Sequence, residues 1–442
     1  MSTTRTHPNV LVFFTDQQRW DTTGAHGNPL GLTPAFDRLA RRGVLVENSF
    51  TNQPVCAPSR ASLQTGMYPT TTGVHRNGIP MPPTTPTLAR HFAAAGYDTG
   101  YIGKWHLAGD DYAGAVPEED RAGYRYWLAA NLLEFTSDAY ETTLYDNDGA
   151  PHTFDGYRAD ALGEAAIRYI EQDRDSPYFL FLSFLEPHHQ NSRDDYPAPH
   201  EYADRYAGDE GWVPADLEAL DGNWPEHLAG YYGMVRRLDE VLERIVATLE
   251  KRGELDNTLI LFTSDHGCHF KTRNDEYKRS CHDASLRVPT VLAGPSLDTG
   301  VPLPQLVGHV DLPPTLLDAA GLPVPAAMQG HSLLPLVRGE STGRPEDVLI
   351  QISESEVGRA LRTSRWKYGV TAPDADARHA ARAERYVDTY LYDLDADPRE
   401  LTNLVGDPAL ADVRAALRQR LADRIADSGE PRPEIVPEPV RG

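Results

Sequence analysis

The sequence predicts an α/β protein with a largely parallel sheet, followed by a smaller antiparallel subdomain. Short apolar runs alternate with amphipathic segments over residues 1–345, the pattern of strand and crossover-helix units. The stretch Gly339-Glu340-Ser341-Thr342-Gly343-Arg344-Pro345 is rich in turn formers and reads as a domain boundary. Beyond it, short apolar runs follow one another without intervening helices. The expected division is a main domain over 1–345, an α+β subdomain over 346–430 and a loose tail over 431–442.

In order, the apolar runs at 10–14, 44–50, 99–102, 178–184, 258–263 and 290–293 predict the strands of the main sheet. Helices are expected over 34–42, 59–65, 87–95, 159–171, 228–252 and 312–320. The clearest is 228–252, where Leu238, Val241, Leu242, Ile245 and Leu249 recur at helical spacing. Residues 107–158 and 190–226 carry Gly, Pro, Asp, Tyr and Trp with little periodicity, so they read as long loops walling a pocket. After the boundary, strands are expected over 348–353, 360–363, 366–370 and 389–392, then a helix over 409–427. Several prolines follow Gly429, which predicts a loose end.

A chain of 442 residues suits one large domain with a smaller appendage. Its 40% hydrophobic and 24% charged residues are those of a soluble globular protein. A net charge of −23 argues against nucleic acid or an anionic membrane surface as the main partner, since both need a basic face. No apolar run approaches the roughly 18 residues of a membrane span. The N-terminus runs into the first strand with no apolar signal region, which predicts a cytoplasmic protein. Oligomeric state is not legible. The three cysteines, Cys56, Cys268 and Cys281, match neither a disulfide framework nor a zinc site, though Cys268 and Cys281 could pair.

Open α/β sheets place ligands beyond the carboxyl ends of their strands, so polar residues directly after apolar runs are weighed first. The strand at 10–14 leads into Thr15-Asp16-Gln17-Gln18, and that at 258–263 into Ser264-Asp265-His266-Gly267. An aspartate so placed often only caps a helix or forms a turn. A lone cysteine is most often a small buried apolar side chain. Cys56 differs in its setting, Cys56-Ala57-Pro58-Ser59-Arg60-Ala61-Ser62-Leu63-Gln64-Thr65-Gly66. Further blocks are Tyr101-Ile102-Gly103-Lys104-Trp105-His106-Leu107, Leu185-Glu186-Pro187-His188-His189, and the run from Lys278 to Pro289. Residues two apart on an extended chain face the same way, so Lys104 and His106 can enter one site.

Taken together these blocks resemble the type I, formylglycine-dependent sulfatases of the alkaline phosphatase superfamily, over about residues 9–404. The resemblance implies an alkaline-phosphatase-like α/β/α sandwich with a C-terminal antiparallel subdomain. Leu391-Tyr392-Asp393-Leu394, Asp397-Pro398 and Asn403-Leu404 resemble that subdomain. It further implies that a formylglycine-generating enzyme oxidises Cys56 to an aldehyde. The hydrate carries two geminal hydroxyls, one to attack sulfur and one to expel the sulfate.

By the same resemblance Asp16, Gln17, Asp265 and His266 hold a divalent cation that also touches residue 56. Oxygen ligands suit Ca²⁺. The family more often has a second aspartate at Gln17 and an asparagine at His266, and the nitrogen ligand admits Mn²⁺. Two carboxylates cancel the cation's charge, and Arg60, Lys104 and Lys278 then leave a positive pocket that attracts an anion. Lys104 and Lys278 are expected on the sulfate, His188 on the leaving-group oxygen, and His106 taking a proton from the spare hydroxyl. His188 is preferred to His189 because it directly follows the proline. Arg60 is expected to serve recognition by the modifying enzyme and to support the residue-56 hydroxyl. The helix after Cys56, expected to begin near residue 58 or 59, would favour negative charge at its N-terminus. His75, Asn77 and His282 are candidate substrate contacts, and Arg287 is expected to tie its segment by a salt bridge.

The implied activity is that of a sulfuric ester hydrolase acting on a sulfate monoester, a carbohydrate sulfate above all. Tyr112, Tyr124, Trp127, Trp212 and Trp224 lie in the two long loops, where any of them can stack on a sugar ring or simply pack. The rival readings are a phosphonate monoester or phosphodiester hydrolase of the same superfamily and a silent binding protein that keeps a thiol at Cys56.

Overall fold

The run Asn9–Thr15 is apolar except at its ends, and such a strand is stable only with both sheet faces covered. In the computed structural model, which describes residues 7–202, 204–207, 212–341 and 343–437, it is β1, near the centre of a ten-stranded sheet. The sheet continues with β2 (Val44–Phe50), β3 (Asp98–Lys104), β4 (Tyr126–Ala130), β5 (Glu141–Tyr145), β6 (Pro151–Asp155), β7 (Tyr178–Ser183), β8 (Thr258–Ser264), β9 (Val291–Ala293) and β10 (Leu303–Gly308). The spatial order is β10-β2-β9-β8-β1-β7-β3-β4-β5-β6. From β8 to β4 all neighbours run parallel, β2 and β10 pair parallel, and β9 runs against both β8 and β2.

Side chains alternate between the faces of β1. Val10, Val12 and Phe14 pack with α2 (Cys56–Thr65), α3 (Leu88–Ala94) and α6 (Leu312–Ala319), whereas Leu11 and Phe13 pack with α1 (Pro34–Arg42), α4 (Arg158–Ile170) and α5 (Trp224–Arg252). The expected sandwich is thus present. At Gly103 the chain has φ +106, and a Cβ there would lie 1.9 Å from the Ser183 carbonyl oxygen. Only glycine allows β3 and β7 to approach so closely, immediately before Lys104.

Part of the 107–158 stretch departs from the loop expectation. It supplies β4, then the hairpin β5–β6 that extends the sheet edge. Its strands are short and its turns rich in Gly and Asp, which hides their period. Tyr124 and Trp127 are buried in the core, so their proposed sugar contact is corrected to packing.

The second sheet is β11 (Val348–Ile352), β12 (Gly358–Arg362), β13 (Trp366–Thr371), β14 (Arg385–Asp393) and β15 (Glu434–Val436), in that order. All neighbours are antiparallel except β14 and β15. Leu417, Leu421 and Ile425 of α7 (Ala411–Asp427) cover it. The tail is therefore not loose throughout, because residues 434–436 pair with the edge of β14; residues 438–442 lie outside the described residues. No helix among the described residues is long and apolar enough to cross a membrane.

Buried charges join the two sheets. Lys367 of β13 donates to Asp283 Oδ1 (2.6 Å), Glu400 Oε1 (2.6 Å) and the Cys281 carbonyl (2.7 Å). Three acceptors match the three donors of an ammonium group, which anchors the 278–287 segment.

Candidate active site

The neighbouring parallel strands β8, β1, β7 and β3 end side by side, so the residues that follow them meet at one edge of the sheet. Asp16 follows β1, Asp265 and His266 follow β8, Lys104 closes β3, and His188 lies after β7. Cys56 opens α2, two to three residues earlier than the sequence suggests, and its side chain reaches the same place. One ligand atom from each of Asp16, Cys56, Asp265 and His266 lies within 4.8 Å of the others, all buried.

Around Cys56 Sγ are Lys278 Nζ at 2.9 Å, His266 Nε2 at 3.4 Å, Asp16 Oδ1 at 3.9 Å and Lys104 Nζ at 4.0 Å. Burial opposes ionisation of the thiol, but Lys104, Lys278 and His266 outweigh it and hold its pKa well below the usual value. Residue 56 thus sits where negative charge is stabilised. The start of α2 adds to this, with the Ala57 N–H capped by Asn77 Oδ1 at 3.0 Å.

The donor set fits a divalent cation. Asp16 and Asp265 are buried side by side, and repulsion from Asp16 adds to burial in raising Asp265. A cation between them would relieve that repulsion. His266 Nδ1 faces the Gly267 carbonyl at 2.9 Å, which can only accept, so Nε2 carries the lone pair beside both aspartates, 3.6 and 3.5 Å away, where it meets Lys278 Nζ at 2.9 Å. Gln17 Oε1 is buried without a hydrogen-bond partner, the state of a ligand oxygen lacking its ion.

Arg60 braces this group from below. It donates to Asp16 Oδ2 (2.8 Å), Asp265 Oδ2 (3.2 Å), Ser183 Oγ (2.8 Å) and the Lys104 carbonyl (3.0 Å). Its contacts are with the carboxylates rather than with Cys56. Lys278 Nζ is 2.9 Å from His266 Nε2 and 3.4 Å from His188 Nε2. His188 Nδ1 donates to the His189 carbonyl, leaving Nε2 toward Lys278, whereas the His189 ring stacks on His188 and lies tilted against Tyr277. His106 has φ +59, and its Nδ1 lies 3.8 Å from Glu134 Oε1, the atom that also meets Lys104 Nζ at 3.0 Å.

Glu134 is the residue that sequence reasoning missed. It sits in the one-turn helix Leu133–Thr136, buried, with Oε1 3.0 Å from Lys104 Nζ and 3.8 Å from His106 Nδ1. Burial would raise its pKa, but Lys104, His106 and His188 hold it below the ordinary carboxylate value. The site therefore carries three carboxylates, and its positive excess is one charge smaller than the motifs imply. Glu134→Ala leaves the Lys104 ammonium with Asp16 as its one carboxylate, and an expected loss of about 3–5 kcal/mol is measurable by urea denaturation.

Three expectations are corrected. His75 is partly exposed, and its ring faces the carbonyls of Gly73 and His379, both at 3.3 Å. His282 Nε2 lies 3.1 Å from Tyr392 Oη, against the second sheet. Both rings pack at the seam between the sheets rather than against Cys56. Arg287 holds its segment by donating to the Glu47 carbonyl and lying over the Trp20 ring at 3.8 Å, not by a carboxylate bridge. Glu354, on the turn after β11, ties the site together at this seam. It accepts from Asn77 N (2.8 Å) and Arg279 Nε (2.9 Å), and so links the cap of α2 to the neighbour of Lys278. Cys56, Cys268 and Cys281 are all free thiols.

Residues 8–322 match the sulfatase family, and residues 275–427 match the C-terminal region of N-sulphoglucosamine sulphohydrolase. An ulvan-active sulfatase from Formosa agariphila is 30% identical over 96% of this chain and 82% of its own. An N-acetylglucosamine-6-O-sulfatase from Bacteroides thetaiotaomicron is 24% identical over 94% of this chain and 86% of its own. Among solved structures, the phosphonate monoester hydrolase of Agrobacterium radiobacter superposes with a TM-score of 0.73 at 26% identity, covering 95% of this chain and 96% of that one. With the family matched over most of its length and its strand ends gathered around Cys56, the chain belongs to the sulfatases of the alkaline phosphatase superfamily and is a sulfuric ester hydrolase.

Proposed function

We propose that this protein removes sulfate from a carbohydrate sulfate, with formylglycine made from Cys56 by a formylglycine-generating enzyme and one divalent cation, Ca²⁺ before Mn²⁺. The observation that carries the reading is the environment of residue 56: a buried side chain flanked by two lysines and grouped with Asp16, Asp265 and His266. The modified residue supplies a hydrated aldehyde as nucleophile, and the cation supplies charge that draws sulfate oxygens toward it.

This chain's own residues do the rest. Lys104 and Lys278 approach Cys56 from two sides and would bind the sulfate oxygens. Asp16, Gln17, Asp265 and His266 would hold the cation, and Arg60 fixes both aspartates. His188 presents Nε2 beside Lys278, where it would serve the departing oxygen. His106 would take the proton that frees the bound sulfate.

A sugar is favoured by the named substrate of the N-acetylglucosamine-6-O-sulfatase. A cavity of about 420 Å³ lies beside Tyr196, whose hydroxyl contacts Gln17. Trp212, Trp224, Tyr206 and His227 line it, an aromatic surface on which a sugar ring can stack. Turnover of a panel of sulfated mono- and oligosaccharides tests the class. The expected result is a preferred sugar sulfate turned over with a kcat/KM above that of a simple aryl sulfate; equal or better turnover of the aryl ester alone would count against it.

Phosphonate or phosphodiester hydrolysis remains the second reading, because Gln17 and His266 give only two carboxylates at the cation and because a phosphonate hydrolase shares the fold. Residue 56 itself is tested by peptide mass. Protein from its native host is expected to carry the aldehyde, and an intact thiol there would return the silent binding protein.

A further inference from the structure

We infer that Tyr196 and Cys268 are positioning residues that decide which end of the Gln17 side-chain amide faces the cation. The inference rests on the metal reading above. Gln17 stands where a carboxylate would be expected, and a carboxylate needs no such device because both its ends are oxygen. An amide has one oxygen and one NH₂ of nearly the same shape. Turned the wrong way, it would present two N–H donors where a cation needs an oxygen.

The surroundings select one orientation. Gln17 Nε2 donates to Tyr196 Oη at 2.8 Å and lies 3.4 Å from Cys268 Sγ, and those two atoms are 3.5 Å apart. All three residues are buried. A hydroxyl and a thiol can each donate or accept, so the selection depends on the Tyr196 hydroxyl spending its hydrogen on Cys268 Sγ; its oxygen then only accepts, the NH₂ end is held between hydroxyl and sulfur, and Oε1 is left buried with no partner. The backbone is fixed independently: Gln17 has φ +67, its N–H donates to Asp265 Oδ1 at 3.0 Å, and its carbonyl accepts from Tyr231 Oη at 2.8 Å. With backbone and NH₂ end both held, the carbonyl oxygen has one place to point.

Tyr196 is itself rigid. Its ring packs against Tyr231, Phe270 and Tyr277, with centroids 5.6, 5.5 and 5.8 Å away. It belongs to the 190–226 stretch, and its other side borders the aromatic cavity described above. Cys268 follows His266 by two residues, so one short segment supplies both a candidate ligand and a holder of its neighbour.

The test is calorimetric titration of Ca²⁺ and of Mn²⁺ into full-length protein stripped of metal, in a double-mutant cycle of Gln17→Glu and Tyr196→Phe. A supporting shell of this kind is worth about 10- to 100-fold in affinity. Tyr196→Phe is expected to weaken Ca²⁺ binding by that factor in the Gln17 protein. In the Gln17→Glu protein it is expected to change affinity by no more than about twofold, because a carboxylate has no wrong end. If Tyr196 only packs, the loss appears equally in both backgrounds, and that outcome overturns the inference. So does an unchanged affinity in Tyr196→Phe. Wild type that binds neither ion overturns the metal reading itself, which separates the two failures. Should Tyr196→Phe not fold, as judged by circular dichroism, Cys268→Ala makes the same comparison and Cys268→Ser is expected to restore binding.

Discussion

Replacing Cys56 by alanine is expected to abolish sulfate ester hydrolysis, by about 10⁴-fold or more in kcat, the scale of losing a covalent nucleophile. Alanine is a good helix former and keeps the first position of α2, so the variant is expected to fold. The combination is what matters. Lys278 would keep His266 and His188 as neighbours, and Lys104 would keep Asp16 and Glu134, so the pocket would remain built but chemically silent. Steady-state turnover and a thermal melt on one preparation check both halves. Retained turnover would place the nucleophile elsewhere.

Asp16→Asn is the second large effect, and here function and stability fall together. Asp16 Oδ2 accepts from Arg60 (2.8 Å) and Lys104 (2.9 Å), while Oδ1 faces His266 and Cys56. Removing the charge strips two buried cations of a shared carboxylate, an expected cost of about 3–5 kcal/mol. It also halves the carboxylate charge offered to a cation, and kcat is expected to drop by about 10³-fold or more. The pH dependence has a definite sign. Burial and the neighbouring Cys56 raise the Asp16 pKa, but Lys104, His188 and Arg60 outweigh them and hold it below the ordinary 3.8. A depressed carboxylate stabilises the fold above its unfolded pKa, and that contribution is lost only as pH falls through the lower folded value. Wild type should therefore keep the Asp16 contribution from neutral pH down to about 4, and the difference between wild type and Asp16→Asn should shrink only in stronger acid. Denaturation midpoints across that range measure it.

The part of the site legible in the sequence is the part attached to strand ends. Asp16, Asp265 and Lys104 each close an apolar run, and the topology of a parallel sheet delivers such residues to one edge. Glu134 could not be read this way. It lies in a single helical turn, and nothing local says that its carboxylate will be buried; that depends on Lys104 arriving from β3. Gln17 was legible as a departure from the family pattern, but the hydroxyl and thiol that hold its amide come from positions 179 and 251 residues away. His75 and His282 mislead for the opposite reason, since their local setting suggests a pocket while the carbonyls of Gly73 and His379 take the first ring and Tyr392 of the second sheet takes the other. In the fold, β4 to β6 escaped because their runs are short, and β15 because three residues show their character only when paired with β14.

The choice between sulfur and phosphorus is the central claim, and one paired measurement addresses it: kcat/KM for an aryl sulfate and for an aryl phosphonate monoester with the same leaving group. The protein should be fully modified at residue 56 and saturated with Ca²⁺. The sulfate ester is expected to be preferred. A preference for the phosphonate by orders of magnitude would contradict it.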